Sequence, residues 1–198
     1  NYGVELLSSD DQKIIKDKSI KLIKLNEKRK KIEKKILIEI NFEKIKKENK
    51  NVIIYYNNSL NEGLIGIIAA RLKDHFNKPA IVITKSNNIL KASARSMPAY
   101  NIGNLIKQLI DRKIIVSGGG HNMAAGFTIK KEKISFLDKF IQKDYSQKVT
   151  RFDNSSIYEM EISSSAINTQ FINNLNRLGP FGNDNFLPIF LIKNVKII

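Results

Sequence analysis

The chain has 198 residues, enough for one good core or one domain with appendages, and 42% of them are apolar, which excludes a wholly disordered segment. It contains no cysteine, which excludes disulfides, thiol catalysis and Cys-ligated zinc together, and no apolar run near the length that spans a membrane. The formal net charge of +15 suggests a polyanionic partner, yet only six of the 34 basic residues are Arg. Lysine, isoleucine and asparagine are abundant together, the bias that an AT-rich genome imposes, so the few arginines say more than the lysines do. Absence of cysteine and of a signal peptide is what a cytoplasmic protein would show. The first residue is Asn1 rather than Met and Ile198 ends an apolar run, so both ends read as cut from a longer protein.

In chain order, Ser9 to Gln12 fits a capping box, with Ser9 as cap and Gln12 three residues on. No proline or glycine occurs from there until beyond Lys50. Ile15, Leu22, Leu25, Ile32, Ile36 and Ile40 fall on one helical face, which predicts a long amphipathic connecting helix broken at most once. Its charge run reads as a solvated face. Val52–Tyr56 reads as a buried strand and residues 63–76 as a helix, whose Gly66, Ala69 and Ala70 would let it lie close to a sheet. Asn77-Lys78-Pro79 stops that helix. Strands are predicted at Ala80–Thr84 and, after an Asn87-Asn88 turn, at Ile89–Ser96. A short helix comes next from Pro98 to Ile110, then strands at Ile114–Ser117 and Gly126–Ile129 and a helix at Ile134–Tyr145. The alternation predicts an α/β domain over residues 51–145. Residues 146–156 read as a linker. Ile157–Ile162 and Ile189–Ile198 read as strands, with a turn at Leu178–Gly182, so the last fifty residues look like the start of a β domain.

Two stretches carry chemistry. Ser117-Gly118-Gly119-Gly120-His121 is either a tight turn with a packed histidine or a cradle whose successive amides converge on an anion. His121 would add a donor, charged when protonated. Along Lys91–Ser96, alternation turns Lys91, Ser93 and Arg95 one way and Ala92, Ala94 and Ser96 the other. Arg95 could fork onto a phosphate with Ser93 or Ser96 helping, or stand in solvent on an edge strand. The other histidine, His75, reads as structural or solvated, and Asp10-Asp11 as helix capping. No spacing of Asp, Glu and His assembles a metal centre. The chain looks able to hold an anion and unable to cut one.

Four motifs in order carry a family resemblance: Gly63–Leu72 (Gly-Leu-Ile-Gly-Ile-Ile-Ala-Ala-Arg-Leu), Lys78-Pro79-Ala80, Ser93–Ser96, and Gly118–His121 succeeded by Ala124–Phe127. Together they resemble the DHHA1 domain of RecJ-type exonucleases. Leu25–Arg29 is similar to the family's linker helix, Gly3–Leu7 to the segment just after its catalytic DHH domain, and Leu178–Phe190 to the approach to its OB-fold. The resemblance implies an α/β DHHA1 domain with a mixed sheet and flanking helices at 51–145. A long connecting helix would precede it over 1–50, and a partial OB-like β domain would occupy 146–198.

The implied activity is the single-stranded-DNA-specific 5′→3′ exonuclease of DNA repair and recombination, with Mn²⁺ or Mg²⁺ held by an upstream DHH domain outside this chain. Arg95, Ser93, Ser96, Gly118, Gly119, Gly120 and His121 would bind substrate phosphates, and His121 would help stabilise the transition state. Phe181, Phe186 and Phe190 would stack bases or fill a core. Single-stranded DNA, the DHH domain and a single-strand-binding protein are the implied partners. Two departures stand out: Asn61 where the family has His, and Asp184 and Phe186 where it has Gly and Pro. The alternatives are a DHH-family oligonucleotide or cyclic-dinucleotide phosphodiesterase, which would generally lack the long helix and the OB-like tail, and a non-catalytic nucleic-acid-binding remnant.

Overall fold

A computed structural model describes residues 1–87, 89–149, 158–182 and 185–195. They divide into two compact units, Asn1–Arg151 and Phe152–Ile198.

The first unit opens with two helices, α1 (Tyr2–Ser8) and α2 (Gln12–Glu39). The cap of α2 is Asp11, not Ser9: its carboxylate accepts from the amides of Lys13 and Ile14, while the Ser9 hydroxyl accepts from Asp11 itself. The long helix breaks once, at extended Ile40, and restarts as α3 (Phe42–Glu48) under an Asn41 cap. Of the expected apolar face, Ile36 and the C-cap Ile40 are buried, whereas Leu25 and Ile32 remain exposed.

Five strands form one sheet in the order β1 (Ile53–Tyr56), β2 (Ala80–Ser86), β3 (Ile89–Arg95), β5 (Ala124–Ile129), β4 (Ser117–Gly120). β1 and β2 are parallel, joined through α4 (Ile65–Phe76), and every other pair is antiparallel. Interior strand β2 is buried on both faces, which is why its sequence is a continuous apolar run. Ala80 and Val82 meet α4 and the end of α2 on one face. Ile81 and Ile83 meet α5 (Ile102–Asp111) and α6 (Ile134–Lys148) on the other. Fully buried Ile68 and Leu72 of α4 each contribute about 1.5–3 kcal/mol through removal from water.

Three expectations shift here. The helix foreseen from Pro98 starts at Ile102, because Asn101 supplies the cap to Asn104 N while residues 97–100 close a turn. Ile114 and Ile115 are not a strand; their amides satisfy Leu109 O at the end of α5. The fourth strand is the glycine run itself.

In the second unit, β6 (Met160–Glu161) and β7 (Phe190–Leu191) pair in parallel, and a helix that the sequence did not announce, α7 (Thr169–Asn176), lies between them in the chain. The ring of Phe190 meets that of Phe171 edge-on, so Phe190 is packing material, while Phe186 is exposed. The foreseen linker after 149, Ile157, Asn88, Asp184 and the strand residues 196–198 lie outside the described residues.

Candidate nucleic-acid interface

The register of β3, β5 and β4 sets the site. Three cross-strand rows share the face on which α4 packs: Lys91, Thr128 and Ser117; Ser93, Gly126 and Gly119; Arg95 and Ala124. His121 extends the third row, its amide donating to Ala124 O at 2.8 Å. Arg95 and His121 are thus one intervening strand apart, about 10 Å across the sheet. α4 packs over β2 and β3 and leaves the β5–β4 side open. The result is an open groove of about 780 Å³, floored by Ser93, Gly126 and Gly118 and walled by Asn61, Gly63 and Gly66.

The glycines read differently in three dimensions. None of the chain's glycines has a positive φ, and the triple glycine is an extended edge strand rather than a turn or a cradle of convergent amides. A Cβ on Gly118 would lie 2.6 Å from Phe127 Cβ, and one on Gly120 would lie 2.5 Å from Ala124 O. Both glycines permit β4 to press onto β5. A Cβ on Gly119 would meet nothing within 4 Å, and its position falls in the cross-strand row of Ser93 and Gly126. One glycine clears the floor and two hold it together.

Arg95 is half-buried at the head of α4. Its guanidinium donates to Ser93 Oγ (3.2 Å) and Ala94 O (2.9 Å), and a Cβ on Gly66 would stand only 3.1 Å from it. The absence of a side chain at Gly66 makes room for the fork. No carboxylate among the described residues pairs with Arg95, so its charge is available to a ligand. Lys91, by contrast, is tied to Glu62 at 2.9 Å. The hydrogen bond from Ser86, reinforced by Lys91, holds the Glu62 carboxyl below the usual carboxylate range.

Ser96 leaves the candidate set. It is fully buried on the opposite face, and its hydroxyl donates to Tyr100 O at 2.5 Å. Asn61 closes a local turn by accepting from Gly63 N at 2.8 Å, which directs the chain into α4. His75 lies elsewhere, between the rings of Phe42 and Phe76.

The sequence also hid one element that fixes α4. Glu33, inside the lysine-rich run, is buried, and its carboxylate takes Arg71 Nε at 2.7 Å and Arg29 Nη1 at 3.1 Å. This clamp ties α2 to the helix that bears the groove wall. Among the described residues no group of three His, Asp or Glu could hold a metal ion. No helix among them is long and apolar enough to cross a membrane.

Comparison with known families agrees with this architecture. The DHHA1 domain family matches residues 49–147, and the RecJ OB domain family matches residues 158–198. The single-stranded-DNA-specific exonuclease RecJ of Bacillus subtilis is 30% identical over 98% of this chain and 25% of its own length. That of Escherichia coli is 27% identical over 83% of this chain and 29% of its own length. The chain therefore spans about a quarter to a third of the length of these curated relatives. Among solved structures, RecJ of Thermus thermophilus in complex with Mn²⁺ superposes with a TM-score of 0.78 at 19% identity, covering 96% of this chain and 28% of that one. Its Mg²⁺ complex gives 0.76. Those two likenesses are likenesses of fold. A DHHA1 sheet with a RecJ OB match after it places this chain in the DHHA1 domain family, as a RecJ-type member.

Proposed function

We propose that the chain is the substrate-binding part of a single-stranded-DNA-specific 5′→3′ exonuclease of DNA repair and recombination. In this reading residues 1–50 are the linker after a DHH domain, 51–145 hold the DNA phosphates, and 146–198 are a linker and the start of an OB-fold. The observation that carries it is the half-buried guanidinium of Arg95, paired with no carboxylate among the described residues, beside Ser93 on the sheet face that also bears Gly126 and Gly119. A guanidinium fork matches two phosphate oxygens, and a floor of glycine lets a polymer backbone lie flat on the sheet. His121, one strand beyond Ala124, would contact a neighbouring phosphate or lend positive charge as negative charge develops. Mn²⁺ or Mg²⁺ would supply the hydrolytic chemistry. The described residues do not fit such an ion; in this reading an upstream DHH domain would hold it and the share of this chain is to grip and orient. A single-strand-binding protein that delivers substrate completes the set of partners, with the enzyme acting in the cytoplasm.

The test is Arg95→Ala in the intact enzyme. Loss of a charge-assisted phosphate contact, about 1.5–3 kcal/mol, should weaken single-stranded DNA binding about ten- to hundredfold. The melting temperature should stay within about 2 °C, because the guanidinium makes no ion pair among the described residues and its hydrogen bonds are to its own strand, at Ser93 Oγ and Ala94 O. Unchanged affinity together with a large drop in melting temperature would make Arg95 structural and overturn the reading. The 198-residue chain alone should bind DNA less tightly as salt rises and show no Mn²⁺-dependent cleavage.

A further inference from the structure

A second cavity, of about 410 Å³, opens at the end of the sheet away from Arg95. Its volume falls within the roughly 300–1,000 Å³ of small-ligand sites. Leu90 pairs with Ile129 in the row next to Lys91 and Thr128, so the cavity and the groove lie on opposite faces, one residue apart along β3. Tyr56 at the end of β1 is half-exposed, and no hydrogen bond among the described residues engages its hydroxyl. Ile89, Leu90 and Ile129 supply an apolar floor.

Lys85, Lys130 and Lys131, all exposed and none in an ion pair among the described residues, line the same cavity against a single carboxylate, Glu132. Three other lysines of the domain are ion-paired: Lys91 to Glu62, Lys50 to Asp138, Lys148 to Asp144. An aromatic face beside an apolar floor suits a planar base, and three free ammonium groups suit the phosphates on either side of it.

We infer that this cavity is a second contact for single-stranded nucleic acid, in which Tyr56 stacks a base and Lys85, Lys130 and Lys131 hold the flanking phosphates. The inference rests on the nucleic-acid reading of the groove. A strand leaving the groove at its Lys91 end turns round that end of the sheet and reaches the cavity. The site therefore acts on longer strands only, and it lengthens the footprint of the domain without touching the Arg95 end. An acidic peptide would find the lysines equally attractive but has no use for the exposed ring.

The experiment measures binding of fluorescent oligothymidylates, short and long, to the intact protein in EDTA, so that no metal-dependent cutting occurs. The triple variant Lys85→Ala, Lys130→Ala, Lys131→Ala should lose about tenfold or more in affinity for the long strand. It should leave the shortest strand unaffected and make the salt dependence shallower by about two units of slope. Tyr56→Leu, which keeps an apolar body against the core, should weaken the long strand about fivefold or more. An iodouracil-substituted strand should cross-link to the peptide that carries Tyr56. Arg95→Ala separates the two readings, because it tests the groove alone: lysine effects that persist when Arg95→Ala has none would sink the groove and keep the cavity. Unchanged long-strand affinity and slope in the lysine variant overturns the cavity. So does lysine-dependent binding of polyglutamate with no loss of DNA binding in Tyr56→Leu.

Discussion

Three adjacent glycines with three different surroundings give a test internal to one motif. Adding a methyl group at Gly118 places a carbon 2.6 Å from Phe127 Cβ, 2.9 Å from Gly126 O and 3.1 Å from Ile106 Cγ2. At Gly120 it lies 2.5 Å from both Ala124 O and Ala125 Cβ. The nearest of these neighbours are backbone oxygens and Cβ atoms, none of which can rotate away, so β4 must separate from β5 or shift. Overpacking of this kind costs about 1–3 kcal/mol. At Gly119 the methyl meets nothing, the backbone is extended, and alanine lowers the entropy of the unfolded chain, a gain of about 0.4–1 kcal/mol. Urea unfolding should therefore move the midpoint of Gly118→Ala and Gly120→Ala down and leave that of Gly119→Ala level or slightly up. DNA affinity reverses the order. Gly119→Leu, stably folded, should lose single-stranded DNA binding because its side chain fills the floor where the strand lies. Equal destabilisation at all three positions would refute the packing argument. A stable Gly119→Leu that binds like the parent would refute the groove.

Two further outcomes concern the interior. Glu33→Gln removes the buried carboxylate that Arg71 and Arg29 share, and it should cost about 1–2 kcal/mol, a few degrees in melting temperature, while Lys34→Gln beside it costs nothing measurable. Calorimetry of the pair distinguishes the clamp from the solvated face around it. At alkaline pH, burial raises Tyr100, with a further push from Asp144, and burial moves Tyr145 up to about 12. An unfolded tyrosine ionises near 10, so their contribution is intact below about pH 10 and is lost as pH climbs towards each folded value, at about 1.4 kcal/mol per pH unit for each ring. A flat stability profile from pH 9 to 12 would contradict that burial.

Parity along Lys91–Ser96 was legible because one polar and one small-residue face alternate in a single strand, and β3 obeys it: Ala92 and Ala94 are core, Ser93 and Arg95 turn to the face on which α4 packs. The α/β order was legible from buried runs such as Ala80–Thr84. The triple glycine was not, since glycine is depleted in strands and its local preference points to a loop. What makes it a strand is the close approach of Phe127 and Ala125, contacts that exist only once β5 is in place. Glu33 was hidden for a similar reason: in a run of lysines and glutamates nothing local marks the one carboxylate that meets Arg71, 38 positions away. Ser96, next to Arg95 in sequence, lies on the opposite, buried face.

β3 gives one set of side chains to the core and turns the other to the face proposed to hold DNA, so the two sets are separated only by register. Inserting or deleting one residue in the hairpin between Ser86 and Ile89 would turn Arg95 into the packed interior beneath α5 and present Ala94 to the groove. If Arg95 grips DNA as proposed, the length of that hairpin governs binding as much as Arg95 itself does. Substitutions at 91, 93 and 95 can retune what the face holds with little effect on folding, whereas those at 90, 92 and 94 act on stability first.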